Sequence, residues 1–585
     1  MILQALVQHY EDLAACGKVA KPGWGLAKVS YALYLNDQGE VVRIVSVKTE
    51  QQRGKKMIWA PQEMVVPAPV KRSSGVLANF LCDNSSYILG VDSKGKPKRA
   101  RECLEACREL HENILSDVGH PAAQAVLAFF RSWDPEQLQT HPAFQAVQEE
   151  MDDILGNANF VFRYDGEYVH EIEEIRRAWQ AYSTADDDAQ LRICLVTGQF
   201  APAAQLHPAI KGIKDAQSSG ASLVSFNAPA FCSYGREQGM NAPTSQYAAF
   251  AYGTALSHLI ADREHINYIG DTAVLCWVQG GEPEYQDVFG GFLFGDENNA
   301  YHAEDYHQMA HDLATGRPFD FHESRIDPER PFYVLGIAPN AARLSVRFFL
   351  RSTFGDMIRN ILAHQKRLEI IRPSYDQNET LSLWRVLNET VNQNAQKKTA
   401  SPVLAGELLR AILTNTPYPA TLLNGVTLRI RAEHEITRGR AAIIKAYYLN
   451  QRNPNPDVPK EVLTVSLNPD SNNVYYNLGR LFSVLEDIQS KANPGINATI
   501  RDRYFNAASA TPAHVFPILL NLAQKHLKKL NEGQRVYYGK QLGSITDKLG
   551  EEYPNRLTLP QQGSFQLGYY HQTQERYQKN SKEDM

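Results

Sequence analysis

The 585-residue sequence has no apolar run approaching the roughly 20 residues that a membrane-spanning helix needs. Its opening, MILQALVQHYEDLAACGK, is acidic and too short in its apolar part for a secretory signal. That segment reads as an amphipathic helix, and the expected compartment is the cytoplasm. Cysteine is scarce: Cys16, Cys82, Cys103, Cys107, Cys194, Cys232 and Cys276 make an odd count with no CxxC pair, against both a disulfide framework and a zinc ribbon. Cys103 and Cys107, four apart in RARECLEACRELHENIL, read as packed thiols on a helix. Methionine disappears altogether between Met357 and Met585. G-x-x-x-x-G-K-[ST], G-x-S-x-G and H-E-x-x-H are all missing, which removes the phosphate-binding loop, the nucleophile elbow and the zincin site as starting points. Nothing in the sequence calls for a cofactor.

Two segments keep an enzyme in view. YHAEDYHQMAHDLATG holds His302, Glu304, Asp305, His307 and His311, and the spacing of His307 and His311 would place both on one helix face, as zinc ligands can be. A metal-dependent nuclease built on His302, His307 and His311 is therefore the alternative function, although histidines at helical spacing are common on polar surfaces. The second segment, SFNAPAFCSYGREQGMNAPTSQYAAFAYGTAL, sets Cys232 beside Tyr234, Arg236 and Asn241. A nucleophilic cysteine needs a base and an oxyanion site, and His207 or His258 could supply the base only if the fold brought one of them to it. A structured loop leading into a helix near Ser245 explains these residues more simply.

The net charge of −5 conceals a division: residues 1–110 carry +5, residues 460–585 carry +3 and the middle carries −13. A polyanion would be drawn to the two ends. Residues 29–47 read as a hairpin with NDQG at its turn, followed by the basic turn QQRGKK and by SKGKPKRAR at 93–101, five cations without an acid. LRICLVTG (191–198), SLVSF (222–226) and TAVLCWVQ (272–279) look like buried strands. RLSVRFFLR (343–351) alternates, with Arg343, Arg347 and Arg351 on one face. Residues 401–447 read as helical in two parts, and NQRNPNPDVPKEV (450–462) has a linker's composition. Beyond it, three apolar stripes at helical spacing (Tyr475–Ile488, Phe516–Leu530, Tyr538–Leu549) and a last segment, SFQLGYYHQTQERYQ, predict four helices. The expected class is α+β. A β-rich N-terminal domain with basic loops (1–115) precedes a mixed α/β middle region (116–370), a helical region ending in the linker (371–458) and a C-terminal helical bundle (459–585).

One stretch has the residue types for nucleic-acid recognition. KRSSGVLANFLCDNSSYILG (71–90) follows the extended VVPAPV and packs two cations, two asparagines, four serines and two aromatics between turn signals. Asn79 and Asn84 could read base edges, while Lys71 and Arg72 grip phosphate. Phe80 could enter a base step. In the simpler alternative Asp83 and Asn84 close an Asx-turn and Phe80 belongs to the core. Lys94, Lys96, Lys98, Arg99 and Arg101 of the neighbouring basic segment would grip the DNA backbone.

RSSGVLANFLCDNSSYILG, ICLVTGQFAPAAQLHPAIKGIKDAQSSGASLVSFN and SYGREQGMNAPTS resemble one family, as do VLGIAPNAARLSVRFFLR and PYPATLLNGVTLRIRAEHEITRGRAAIIKAYYL. This is the large subunit of the type I-C CRISPR surveillance complex, Cascade, and the similarity runs in order along nearly the whole chain. The resemblance implies a subunit without catalytic activity that recognises the protospacer-adjacent motif in double-stranded DNA and promotes duplex opening and R-loop formation. It also implies a platform for the helicase–nuclease. Guide pairing then supplies the sequence specificity, as in a related effector. The implied partners are the target duplex and its displaced strand, a CRISPR RNA-containing complex of repeated backbone subunits with a 5′-end-binding subunit, and a helical small subunit. The small subunit is expected from an internal start in the same frame. Because no methionine lies near the linker, that start needs an alternative codon, with Val458, Val462 and Val465 as candidates.

Overall fold

The computed structural model describes residues 1–583 except 54–55, 71, 73–74, 92–95, 157, 185–189, 296–307, 310–311, 313–314, 322–323 and 397. Backbone contacts divide the chain into two units, Met1–Pro208 with Ser225–Leu256, and Ala209–Val224 with Ser257–Met585. The class is α+β, with strands concentrated near the N-terminus and helices at the C-terminus.

In the first unit the hairpin forms from Tyr31–Leu35 and Val41–Ser46, and Tyr31–Leu35 also pairs in parallel with Asn159–Tyr164. Cys82–Asn84 adds to the other edge of Asn159–Tyr164, antiparallel, so a short strand ends the candidate loop on a fixed sheet position. The helix Pro97–Leu115 has proline in its first turn, where the missing N–H costs nothing, and it buries Ala100, Cys103, Leu104, Cys107, His111, Ile114 and Leu115 along one stripe. That stripe joins Phe80, Leu81, Phe129, Phe130, Phe160 and Phe162 in one core. Cys103 and Cys107 are packed thiols in this core.

The second unit is built on a six-stranded sheet in which Thr272–Val278 lies between Asn267–Ile269 and Pro331–Asn340, and Arg343–Thr353 pairs beyond. The alternation expected for 343–351 is interrupted because the register shifts between Gly336 and Ile337. Gly336 makes the shift possible: a Cβ there would lie 2.4 Å from the Phe348 ring. Two strand expectations need correction. Of residues 222–226 only Ser222 joins the sheet, in the strand Ala221–Ser222, and the strand Leu191–Ile193 is exposed rather than buried. Residues 401–447 hold three helices, Pro402–Thr414, Ala420–Glu433 and Arg438–Leu449, because Asn415 and His434 adopt left-handed backbone and stop the first two.

After the linker come five helices: Val474–Ala492, Ile500–Ala510, Pro512–Leu527, Glu532–Thr546 and Leu559–Glu583. The unforeseen Ile500–Ala510 has only Ile500, Tyr504 and Phe505 as large apolar residues, too few for a stripe, and a Thr499–Asp502 capping box marks its start. The linker is itself packed: Val458 and Val462 are buried, and Asp457 accepts from Gln561 Nε2 at 3.2 Å while its carbonyl accepts from Ser564 Oγ at 2.7 Å. A continuous core runs from Ile269 to Tyr570.

The first and last of the five helices approach at two glycines. A Cβ on Gly479 would lie 1.9 Å from the Phe565 carbonyl, and one on Gly568 would lie 2.0 Å from the Tyr476 carbonyl. Backbone cannot yield as a side chain can. Gly479→Ala or Gly568→Ala should therefore destabilise the chain by about 1–3 kcal/mol, read as a lowered midpoint in denaturant unfolding. An unchanged midpoint for both would show that the helices do not pack this closely.

Candidate nucleic-acid interface

The 70–90 loop is held from inside by one carboxylate. Asp83 is 1% exposed, and its oxygens accept from both terminal nitrogens of Arg72, Nη1 at 2.8 Å and Nη2 in close contact. The same carboxylate accepts the backbone N–H groups of Asn79 and Asn84, each at 2.8 Å. Burial pushes the Asp83 carboxyl up, while Arg72 and these two N–H groups pull it back down. Arg72 has further fixed partners: its Nε donates to the Leu77 carbonyl at 2.6 Å, and its guanidinium lies 3.8 Å from the Tyr87 ring centroid. The Tyr87 hydroxyl in turn accepts from Leu77 N at 3.3 Å.

A second anchor comes from the helix Pro97–Leu115. Leu81 is buried with φ of 54°, a left-handed conformation unfavourable for leucine, and its N–H is bound by His111 Nε2 at 3.0 Å. The other ring nitrogen of His111 donates to the Cys107 carbonyl at 2.7 Å, which fixes the neutral tautomer. Burial pushes the His111 pKa down to about 4, so the acceptor persists at neutral pH.

The residues singled out from sequence divide between building the loop and facing outward. Phe80 is 1% exposed, stacked on Trp179 at 5.2 Å between centroids and 5.0 Å from His111. Asn84 caps the helix Ser85–Ile88, its Oδ1 accepting from Ser86 N at 3.1 Å. Asn79 is half-buried, and its Oδ1 accepts from Val70 N at 2.9 Å. Proline starts the basic helix, so Lys98, Arg99 and Arg101 occupy its first two turns and are exposed, with Lys96 at the N-cap. Arg99 Nη2 donates to the Gly75 carbonyl at 3.0 Å, which ties the cationic helix start to the loop. Arg101 pairs with Glu136 at 2.7 Å on the open surface, a contact worth little to stability. Lys71 and Lys94 lie outside the described residues, as do His302, Glu304, Asp305, His307 and His311. Among the described residues no group of three or more His, Cys, Asp or Glu side chains is arranged to hold a metal ion.

The roles of Tyr87 and His111 were invisible in the sequence, and Asp83 looked like a turn residue. Arg72 and Asp83 are eleven positions apart and Leu81 and His111 thirty, spacings that no local periodicity marks. Substitution separates the pair's contribution from mere side-chain loss. Arg72→Met leaves a carboxylate buried without its counter-charge and should cost about 3 kcal/mol. Adding Asp83→Asn to Arg72→Met should recover part of that loss in a denaturant-unfolding double-mutant cycle. Additive costs would show that the two side chains are not coupled.

No curated protein matches the chain. The family of CRISPR-associated proteins described as Cas_Csd1 matches residues 6–577, through both units and into the last helix. With a match of that extent, this chain belongs to the Cas_Csd1 family of CRISPR-associated proteins.

Proposed function

We propose that the chain is the large subunit of a type I-C Cascade complex, without catalytic activity of its own, that recognises the protospacer-adjacent motif and starts duplex opening. Family membership supports the CRISPR setting, and the sequence resemblance supports the subtype. The observation that carries the DNA-reading role is the bond from Arg99 to the Gly75 carbonyl, which makes the asparagine loop and the cationic helix start one surface. Lys96 and Lys98 grip phosphate there, Lys71 and Lys94 extend the grip, and Asn79 and Asn84 face the bases. Arg72 and Phe80 serve from beneath by keeping the loop rigid, which lowers the ordering cost of binding.

The geometry refines how the asparagines read. Each has its Oδ1 committed to a backbone N–H, Val70 for Asn79 and Ser86 for Asn84, so each offers Nδ2 as a donor. One lone pair of each Oδ1 is already used, so Nδ2 is the group left wholly for a ligand, and a donor suits the acceptor-only edge that A·T pairs show in the minor groove. Modest contacts of this kind suffice, because the guide–target heteroduplex is about as stable as the DNA duplex it replaces. In the reconstituted complex, Asn79→Ala or Asn84→Ala should weaken motif-bearing duplexes by about 1 kcal/mol each. Asn79→Asp should weaken them more, since an acceptor then meets an acceptor. Lys98→Ala should weaken all sequences alike and reduce the salt slope by about one. Unchanged motif preference in the Asn79→Ala, Asn84→Ala double variant would overturn the assignment.

The C-terminal helices serve the displaced strand in this reading, both within this chain and as a separately translated small subunit. The packing of the linker favours the earliest start. A product beginning at Val458 carries methionine in place of that valine and keeps the buried Val462, whereas one beginning at Val465 loses both. Silent recoding of the valine codons should abolish a product of roughly 120–130 residues and leave the full-length chain unchanged. Intact-mass measurement of the purified complex tests this, and its absence from a complex with full DNA binding would end the proposal.

A further inference from the structure

The strand Leu191–Ile193 and its partner Phe200–Pro202 form a two-stranded ribbon in the first unit with an apolar face turned to solvent. Ile193 stands opposite Phe200 and Leu191 opposite Pro202, so these four side chains share one face. Leu191 is 46% exposed, Ile193 64% and Phe200 68%, and Leu195 in the turn is 66% exposed. Cys194, on the opposite side, is buried. Apolar side chains in an alternating strand normally face the protein core; here they face away from it.

The ribbon is rigid. Its turn is closed by Cys194 N to the Gln199 carbonyl and Gly198 N to the Cys194 carbonyl, both at 2.8 Å, with Gly198 at a φ of 73°. Its base is bound by Ala203 N to the Gln190 carbonyl at 3.0 Å, Leu195 N to the Pro243 carbonyl at 2.9 Å and Ala204 N to the Thr244 carbonyl at 2.8 Å. Underneath, Cys194 Sγ accepts from Ser245 N at 3.2 Å and from Thr197 N at 3.4 Å. A fixed apolar surface loses little freedom on binding. Left uncovered, it is an association hazard.

We propose that this ribbon is a docking surface for another protein subunit of the CRISPR assembly, covered by an apolar, weakly charged patch on that subunit. The proposal rests on the reading of the chain as a Cascade subunit. Charge selects the class of partner: residues 191–206, LRICLVTGQFAPAAQL, contain one charged side chain, Arg192, so a phosphate backbone finds almost no counter-charge here. Depletion of charge with aromatic and aliphatic enrichment is the composition of a protein interface core. Size selects the setting. Four side chains cover a few hundred Å², short of the roughly 800 Å² per partner of a stand-alone interface, so the ribbon adds to a larger assembled contact and does not by itself make a dimer.

The test co-expresses the chain with the other subunits and CRISPR RNA of its complex, comparing wild type with the Ile193→Asp, Phe200→Asp double variant. Both positions are exposed, so the isolated variant should melt as wild type does, while its incorporation into the complex falls at least tenfold. Radical oxidation of wild-type Phe200 needs no substitution and should drop several-fold on assembly. Normal incorporation of the variant, or equal Phe200 oxidation before and after assembly, overturns the proposal. A dimer of the isolated chain that the variant abolishes also overturns it, in favour of a second copy as occupant. Failure of wild type itself to enter any such complex removes the Cascade reading, a result distinguishable from the others because it does not depend on the ribbon.

Discussion

The buried Asp83 carboxylate organises the N-terminal loop, and the nucleic-acid reading depends on it. It gathers a guanidinium and two backbone N–H groups within hydrogen-bond distance, in a place where water cannot compensate for a missing partner. A loop rich in serine, asparagine and glycine would otherwise sample many conformations. With Asp83 fixed on the short edge strand and bonded to Arg72 and Asn79 N, and Leu81 held in left-handed backbone by His111, the described part of the loop has little freedom. In the proposed reading this rigidity lowers the ordering cost of binding, because the surface offered to a duplex is already formed.

The same arrangement explains the division of labour among residues that looked equivalent in sequence. Arginine suits the internal position because its planar fork can satisfy a carboxylate and a carbonyl together and still lie over the Tyr87 ring. Lysine suits the proposed phosphate contact at the helix start, because a flexible point charge can follow a backbone. The asparagines contribute their oxygens to the fold, and in the proposed reading their nitrogens meet the bases. Phe80 contributes its ring to the core, beside Trp179.

Local signals were legible and non-local ones were not. The apolar stripes at 475–488, 516–530 and 538–549 are buried or half-buried and lie in helices except for Leu530 and Leu549, which fall just past helix ends, because helix periodicity is written into a dozen adjacent residues whereas the stop is not. Residues 191–198 show the limit. Their apolar content reads as a buried strand, yet sequence cannot tell whether the covering surface lies in the same molecule, and here the strand faces solvent. At the candidate site the residue types were legible in the stretch 71–90, whereas the fourfold role of Asp83, the hold of His111 and the Arg99 link were not. Each joins positions that only the folded chain brings together.

The central claim is that the Asp83-organised loop and the adjoining helix start lie against the flanking motif of the target duplex. Photocrosslinking tests it directly: duplexes carrying a photoreactive base at each motif position are bound by the assembled complex, irradiated, and the adducts are mapped by peptide mass spectrometry. The account predicts adducts within residues 70–84 and 96–101, lost when the motif is scrambled. Adducts confined to other parts of the chain, such as the arginine-bearing strand Arg343–Thr353, or to other subunits, would contradict it.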